Sequence, residues 1–558
     1  MTTNNRTKII YCTTLLVVVL SLMMTVGVQG ADDLFLVVRP SSSSPMKRSL
    51  DSFYMLPKAK INLLGGDEVH AHVHYDETTN KTGWALLSLT TNPDETDADQ
   101  AFAAGFVEGY VTANLMETYW PGFNNASYTP SLDPQLNQFL DDNLRFMRRK
   151  IAESRNGNTN EKLYWTHVGL VLDQVEGLYA GYLKKMAEQF KTPTLTLLEM
   201  LKFQVAADTD DLYSKWQPTN FDNMSKEEIE KYTLLHTRCT AFIKYSEDKK
   251  NLFLTHATWA PYQYMLRIYK HYRINFKDTP AKLVSFSSSP GWLASGDDFY
   301  ITSAGLIVTE TTNSIYNQTL YNYVTSETVL YWMRNIVANR LANSAKEWTE
   351  LFAKYNSGTY NNQWMIIDTK KFVPGADKSD PELFYILEQI PGDCMSASMS
   401  HILDERYWPS FNLPYFSYIF NVSGYPEKLK KYGDFFSYDK CPRAKIFKRD
   451  APSVNTIEDV KKLIRYNDYQ HDPLSLGDAC HQIASRCDLN PGGSAFGAID
   501  AKVTDIAFAR RNFAFAQSGP THDQEPVFKW NNVNSPANPH PGQPVEFDFN
   551  WVSMAPIY

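Results

Sequence analysis

The chain has 558 residues, with 54 Lys and Arg against 62 Asp and Glu, and a net charge of −8. This length can bury a large core, and the absence of a basic tract argues against a nucleic-acid partner. The 33 Tyr, 31 Phe and 12 Trp residues indicate either ordinary packing in a large domain or an apolar substrate cleft.

Residues 1–30 are predicted to be a signal peptide. Basic residues up to Lys8 precede an apolar stretch over 9–28, and Gly30 supplies the small residue needed at a cleavage site. The alternative is an N-terminal membrane anchor, because the apolar stretch approaches spanning length. The small residues at its end favour cleavage, so we expect no stable transmembrane anchor.

Five Asn-x-Ser/Thr acceptors follow the signal peptide, which predicts a secreted or lysosomal glycoprotein. The acceptors are Asn80, Asn125, Asn223, Asn317 and Asn421.

Residues 31–215 predict a mixed, helix-rich part. Strands are expected near Ile61, at His70–Tyr75 and at Gly83–Leu89. Helical spacing follows at Asp97–Tyr119, Asp133–Ser154, Tyr164–Gln189 and Pro193–Tyr213.

Three histidines, His70, His72 and His74, alternate along one predicted strand and would share a face. Imidazoles on one face could hold a metal, but no further cluster of ligands is evident in the sequence. We therefore expect a solvated or hydrogen-bonded strand face, and neither a metal nor a cofactor.

Residues 216–238 are polar, charged and poorly periodic, which predicts an exposed linker. The remaining residues, 239–558, are expected to form one C-terminal catalytic chain. Its predicted strands are 239–245, 251–257, Leu283–Ser287, Phe299–Thr302, Gly305–Thr311 and Trp364–Asp368. Its predicted helices are Ser326–Asn339, Ser344–Tyr355 and Ile457–Tyr466. Strands and helices that do not strictly alternate favour an α+β layered fold.

Cys239 opens the first of these strands, and His256 and Trp259 come at the end of the next. This pattern predicts a hairpin built around a nucleophile, since the surroundings of a thiol decide its reactivity. Cleavage of the Arg238–Cys239 bond would free an α-amine with a pKa of about 7.7–8.0, a usable base. The thiol could make that cut itself through a thioester. The alternative is a small buried cysteine.

The cysteine count also sets Cys239 apart. Cys480 and Cys487 enclose a short loop and predict a disulfide, and Cys394 and Cys441 could form a second. Cys239 is then left over as a candidate reactive thiol.

Several segments together resemble the phospholipase B-like family of the lamina ancestor type. The resemblance covers nearly the whole mature chain in the same order. The matching segments are Cys239–Lys244, Thr255–Trp259, Ser289–Asp298, Val308–Asn313, Tyr360–Asp368, Arg406–Asn412 and Gly492–Lys502.

The resemblance implies an N-terminal-nucleophile hydrolase fold, a four-layer αββα sandwich, and self-cleavage before Cys239. It also implies kinship with cysteine amidases, in which Cys239 would be both the nucleophile and its own base. His256 and Trp259 stand where those amidases have an arginine and an aspartate, so orientation or protonation by His256 and shaping of the cleft by Trp259 are the roles implied.

The remaining catalytic candidates each have a structural alternative. Asn361 and Asn362 would form the oxyanion hole, or else an Asn-rich turn. Thr311, like its neighbour Thr312, would polarise the nucleophile, or else be an ordinary strand threonine. Arg406 would hold an anionic group or the amine side of the site, or else form a surface ion pair.

The resemblance implies a hydrolase that removes fatty-acyl groups from glycerophospholipids through a cysteine thioester, as part of lipid degradation. An amidase acting on N-acyl lipids or peptides passes through the same tetrahedral centre and stays open. A non-catalytic lipid-binding lysosomal protein is the third possibility. In each case the two fragments are expected to remain associated after self-cleavage.

Overall fold

The computed structural model describes residues 34–39, 52–57, 70–155, 159–236, 238–533 and 537–557. The predicted signal peptide and the predicted strand near Ile61 lie outside these residues. Among the described helices, none is both long and apolar enough to cross a membrane.

The strands are β1 Leu34–Arg39, β2 Ser52–Pro57, β3 Ala71–Asp76, β4 Trp84–Thr91, β5 Thr240–Tyr245, β6 Leu252–Pro261, β7 Arg267–Arg273, β8 Leu283–Ser288, β9 Phe299–Thr302, β10 Leu306–Thr312, β11 Asn362–Asp368, β12 Phe384–Ile390, β13 Asp393–Ser398, β14 Trp408–Ser410, β15 Phe496–Asp505, β16 Ala514–Ser518 and β17 Val552–Met554.

The helices are α1 Thr79–Thr82, α2 Asp97–Ser127, α3 Asp133–Ser154, α4 Thr159–Glu188, α5 Leu197–Val205, α6 Thr209–Trp216, α7 Lys226–His236, α8 Tyr331–Leu341, α9 Ala345–Ala353, α10 Ser400–Glu405, α11 Ser417–Val422, α12 Tyr425–Tyr432, α13 Pro442–Asp450, α14 Ile457–Ile464 and α15 Ile506–Ala509.

The described strands form two sheets. The large sheet has eleven strands in the order β13-β12-β11-β10-β9-β8-β7-β4-β3-β1-β2, and the small sheet has six in the order β14-β5-β6-β15-β16-β17. Neighbouring strands are antiparallel except β4 and β7, which run parallel. Strand β7 was not predicted, because its sequence Arg-Ile-Tyr-Lys-His-Tyr-Arg carries charges that the fold buries through ion pairs.

Two apolar clusters place the sheets and helices in layers. The main cluster joins the large sheet and helices such as α2 and α4 to one face of the small sheet, including Ala241 and Ile243. The second cluster joins the opposite face of the small sheet, including Phe242 and Trp259, to α7, α13 and α14. The fold is therefore mixed α+β with two sheets, as predicted, and it is compatible with a sandwich.

Helices α2 and α4 pack in direct backbone contact. A Cβ atom on Gly105 would lie 2.0 Å from the Gln174 carbonyl oxygen, and one on Gly177 would lie 2.1 Å from that of Phe102. Glycine is required at such a close approach because it has no side chain. The pair is tied to the sheet by the buried ion pair between Glu108 of α2 and Lys270 of β7, at 2.7 Å.

The segment before Cys239 differs from the exposed linker expected from its composition. It contains α7, and Phe221, Ile229 and Leu234 are buried in the second cluster. Helix α7 is also tied down by a hydrogen bond of 2.8 Å between the hydroxyls of Thr233 and Tyr316. Charged residues on its outer face outnumber the few apolar residues that face inward, so the composition alone predicted a linker. The chain ahead of Cys239 is thus held in place.

The Cys480–Cys487 disulfide is confirmed. The second pairing considered is not formed, because Cys394 and Cys441 are both free. Cys394 lies on edge strand β13 of the large sheet, whereas Cys441 is buried in the second cluster before α13, so the fold keeps the two apart.

Candidate active site

Cys239 immediately precedes β5 and is fully buried. Its backbone has φ = +81°, the left-handed region that disfavours any residue with a Cβ. Such a conformation costs on the order of 1–3 kcal/mol and persists only where the surroundings enforce it. The strain falls on the residue that follows the bond predicted to be cut.

Three reactive side chains meet between the two sheets. The Cys239 thiol, the His256 imidazole and the Glu310 carboxylate offer atoms that all lie within 4.8 Å of one another. His256 comes from β6 of the small sheet, where it pairs with Ala241, and Glu310 comes from β10 of the large sheet. The structure therefore brings His256 to the thiol and adds a carboxylate that the sequence analysis did not single out.

Burial favours the uncharged forms of all three groups. It raises the pKa of the Cys239 thiol, the Glu310 charge raises it further, and Lys502 opposes both. Burial, followed by the neighbouring Asp298, raises the pKa of Glu310. Burial, followed by Lys502, lowers the pKa of His256. The thiol therefore needs a nearby proton acceptor before it can act as a nucleophile.

The carbonyl of the predicted cleavage site is held by two donors. The Arg238 oxygen accepts hydrogen bonds from the Thr312 backbone N–H at 3.1 Å and from Asn412 Nδ2 at 2.6 Å. Two donors directed at one carbonyl oxygen are the arrangement that stabilises a tetrahedral oxyanion. The Arg238 carbonyl thus lies in a candidate oxyanion hole.

Arg443 positions the groups around the Arg238 carbonyl oxygen. It donates to Asn412 Oδ1 at 2.6 Å, which orients the amide so that Nδ2 points at Arg238. It also donates to the Cys239 carbonyl oxygen at 3.2 Å and lies over the Trp259 ring at 4.3 Å from the centroid. Trp259 therefore supports the nucleophile through Arg443, besides lining the cavity beside Cys239.

A buried network of charges forms the floor of the site. Asp297 contacts Arg267 at 2.8 Å and Lys502 at 2.7 Å, and Asp500 contacts the same two cations at 3.1 and 2.6 Å. Burial alone would raise the pKa of Asp297, but Arg267 and Lys502 outweigh it and lower that pKa. The two carboxylates neutralise the two cations, and the network joins β6, β7 and β15 through Thr258, which donates to Asp297 at 2.8 Å.

The cavity beside Cys239 is small. Its volume is about 20 Å³, and Tyr264, Trp292 and Tyr360 are among its walls. A cavity of roughly 10–15 Å³ is needed for one water molecule, so an acyl chain does not fit. Arg238 is itself a wall, and Asp210 anchors its guanidinium at 3.1 Å. Arg238 therefore occupies part of the space beside the thiol.

The proteins to which this chain is similar carry one family name. The sequence model of the family described as Phospholipase B matches residues 71–554. Phospholipase B-like protein B of Dictyostelium discoideum is 41% identical over 486 residues, covering 85% of this chain and 84% of that protein. Human Phospholipase B-like 1 is 39% identical over 495 residues, covering 87% of each chain. Putative phospholipase B-like 2 of Bos taurus is 39% identical over 507 residues, covering 85% of this chain and 84% of the relative.

The chain belongs to the phospholipase B family. The resemblance found from the sequence motifs is thereby confirmed.

The other predicted residues of this phospholipase B family member lie around the site in different ways. Thr311 bonds to the Ser410 hydroxyl at 2.6 Å, while its neighbour Thr312 supplies the backbone donor to Arg238. Asn361 donates to the Gly358 carbonyl at 2.9 Å, and Asn362 is paired with Thr312 across β10 and β11. Neither asparagine donates to the Arg238 oxygen in this structure, and their part in the site stays a prediction.

Arg406 is exposed at the end of α10 and is not a wall of the cavity. The arginine that touches the nucleophile is Arg443, for which the sequence offers no local signal. Asn412 could have been found, because it ends the family-like segment that begins at Arg406. Glu310 lies in another such segment, between Val308 and Asn313.

Four glycosylation acceptors, Asn80, Asn125, Asn223 and Asn421, are exposed. Asn317 is half-buried, and its side-chain nitrogen donates to the Val422 carbonyl at 3.0 Å. Attachment of glycans at all five stays a prediction.

The thiol, imidazole and carboxylate of the Cys239 cluster are also ligand types that zinc accepts. The strained cysteine and the two donors to the Arg238 oxygen also suit acyl chemistry, and the absence of a metal stays a prediction. Of the alternating histidines, His70 lies just before β3, and its imidazole is 3.0 Å from the Glu95 carboxylate.

Proposed function

We propose that this protein is a hydrolase that cleaves itself before Cys239 and then removes fatty-acyl groups from glycerophospholipids through a cysteine thioester. The observation that carries the proposal is the Arg238 carbonyl, which sits between two oxyanion donors and directly precedes a strained, buried cysteine.

In self-cleavage, the proton of the Cys239 thiol passes to the ionised form of Glu310, since burial lowers the pKa of the other neighbour, His256, and makes it a poorer base. Because burial raises the pKa of Glu310, this ionised form increases as the pH rises. The sulfur attacks the Arg238 carbonyl carbon, and the oxyanion is held by Thr312 N–H and Asn412 Nδ2. The carbon–nitrogen bond breaks, the nitrogen of Cys239 takes the proton from Glu310, and a thioester remains. Water opens the thioester, which restores the thiol and leaves a carboxylate on Arg238.

The free α-amine of Cys239 then becomes the base for turnover. Departure of Arg238 from the cleft vacates the oxyanion hole, and the acyl carbonyl of a substrate takes the place of the Arg238 carbonyl. The thiol attacks, the alcohol leaves with the proton, and water releases the fatty acid. Aromatic walls such as Tyr264 and Trp292 suit an acyl chain.

The lipid substrate rests on the names of the relatives and on these walls. An amide substrate, such as an N-acyl lipid or a peptide, is the second candidate. It is favoured by the bond that the site already holds, because Arg238–Cys239 is itself an amide.

Pairing across the cut supports fragments that stay associated. Strand β4 lies before Cys239 and pairs along its length with β7, which lies after it. Helices α2 and α4 add a large share of the main apolar cluster to the same sheet. A secreted or lysosomal location is part of the proposal and rests on the predicted signal peptide and glycosylation sites.

The proposal is tested by N-terminal sequencing of the purified protein after incubation at neutral and acidic pH, beside a Cys239→Ser variant. A fragment that begins at Cys239 and is absent from the variant supports self-cleavage. The processed protein is then assayed with phosphatidylcholine and with an N-acyl amide of the same chain length. An uncut chain at both pH values, or a cut at another bond, contradicts the proposal.

A further inference from the structure

A second cavity lies on the other side of the large sheet from Cys239. Side chains on β7 alternate between the two faces. Arg267 points toward Asp500 of the small sheet, whereas Lys270 and Tyr272 point toward Glu108 of helix α2. The cavity is bounded by Tyr272 on this helical side and is separate from the thiol.

The walls of this cavity are mostly apolar. Its volume is about 30 Å³, larger than that beside Cys239. The apolar and aromatic walls are Tyr272, Ile274, Phe276, Ala281, Val284, Phe286, Leu293, Tyr300 and Ile336. The polar walls are Lys282, Asn339 and Arg340, so the cavity offers two cations in an apolar setting.

Arg340 is an unusual wall, because it is only 6% exposed and has no carboxylate ion pair among the described residues. Its Nη2 donates to Gln174 Oε1 at 2.7 Å, and its guanidinium lies 4.9 Å from the centre of the Phe276 ring. Its Nη1 is buried without a hydrogen-bond acceptor. Burial lowers the pKa of Arg340 to about 9, against an opposing effect of Tyr272. A buried cation without an anion is costly, and an anionic ligand would relieve that cost.

The surroundings of Arg340 supply no balancing charge. Lys282 is half-buried and bonds to the backbone carbonyls of Phe276 and, at 3.2 Å, Lys277. Burial, with Arg340 and Lys282 adding to it, lowers the pKa of His167 to about 3, so this imidazole is neutral at physiological pH. Glu108, which accepts from the Tyr272 hydroxyl, is already paired with Lys270.

We infer that this cavity binds the anionic end of an amphiphile, a carboxylate on an apolar chain. At about 30 Å³ the cavity has room for the carboxylate group, which would accept from the Arg340 guanidinium, while the apolar chain would lie outside it. A longer chain leaves past Lys282 and Val284, which are partly exposed and form the mouth. This site does not depend on the hydrolysis proposed for Cys239.

The test is calorimetric titration of dodecanoate into the full-length Cys239→Ser protein, with dodecanol as a ligand that has the same chain and no charge. We expect dodecanoate to bind and dodecanol to bind at least tenfold more weakly. Arg340→Gln should weaken dodecanoate binding by roughly tenfold or more, which is about 1.4 kcal/mol, while Arg340→Lys should retain part of it. Arg145→Gln removes an equal charge from the exposed surface and should change nothing.

Equal affinity for the alcohol and the acid would overturn the inference, and so would unchanged dodecanoate binding in Arg340→Gln. Because Arg340 is buried, its variant is first checked for a native thermal transition. Val284→Trp blocks the mouth from a partly exposed position and provides a second variant. If Arg340→Gln does not fold, dodecanoate binding that survives in Val284→Trp refutes the site, and its loss supports it.

Discussion

Removal of the Asn412 side-chain donor should slow self-cleavage without changing the fold. Asn412 supplies one of two hydrogen bonds to the Arg238 oxygen, at 2.6 Å, the shorter of the pair. Loss of one oxyanion donor typically costs about 10²–10³ in rate, or roughly 3–4 kcal/mol of transition-state stabilisation. Asn412 has φ = +69°, so glycine is the substitution that removes the donor and still accepts this backbone.

The assay follows the fragment that begins at Cys239 by gel and N-terminal sequencing over time. Asn412→Gly should cut about 10²–10³-fold more slowly than the unaltered chain. Asn412→Asp should be slower still, because a carboxylate beside the developing oxyanion repels it. The matched variant is Asn362→Ala, which removes a buried asparagine amide that does not donate to the Arg238 oxygen. An unchanged rate in Asn412→Gly, or a larger loss in Asn362→Ala, would refute the assigned oxyanion hole.

Three further perturbations test the charges of the site and the core. Glu310→Gln should slow self-cleavage by about 10²–10⁴ and remove the acidic limb of its pH profile, since no carboxylate remains to accept the thiol proton. Lys502→Met leaves Asp297 and Asp500 with one cation and should lower the free energy of unfolding by about 3–5 kcal/mol, measured by urea denaturation. Burial raises the pKa of Glu388 to about 7, against the opposing effect of hydrogen bonds from Gln363 and two backbone amides. The folded state therefore binds a proton at Glu388 more tightly than the unfolded state does. The resulting contribution to the free energy of unfolding is at most about 3 kcal/mol; it is fully present below the ordinary pKa and is lost as pH rises through 7. Glu388→Gln should reduce this fall in stability, measured by thermal unfolding between pH 4.5 and 8.

Each of these has its own control and contrary result. If the pH profile is unchanged in Glu310→Gln and His256→Asn no longer cuts itself, the residue that accepts the thiol proton is His256 and not Glu310. Lys371→Met breaks an ion pair with Glu382 at the surface, at 2.6 Å, and should lower the free energy of unfolding far less than Lys502→Met does, because solvent screens this pair. If Lys502→Met lowers the free energy of unfolding as little as Lys371→Met does, the buried network does not stabilise the fold. If the slope of stability against pH is the same with and without Glu388, another group controls it.

Local patterns in the sequence were sufficient to predict the bounds of several helices and strands. The helix Asp133–Ser154 has the predicted bounds, and strand Phe299–Thr302 does too, because their apolar spacing is regular and is matched by burial. The predicted helix Pro193–Tyr213 is two helices, since Asp208 lies between them and bonds to Thr359 and to the Tyr331 backbone. Such long-range partners cannot be found from local spacing.

The sequence by itself predicted the Cys480–Cys487 disulfide and the family correctly, and it proposed Arg238 and Cys239 as a cleavage site, because each depends on residues close together in the chain or on motifs in a fixed order. It also placed His256 near the nucleophile, since a hairpin between β5 and β6 is a local structure. The tertiary structure alone decided which groups complete the site. Glu310 comes from the other sheet, and Asn412 and Arg443 lie far along the chain. Their distances to Cys239 and to the Arg238 carbonyl exist only once two sheets have packed face to face, so no local pattern could set them.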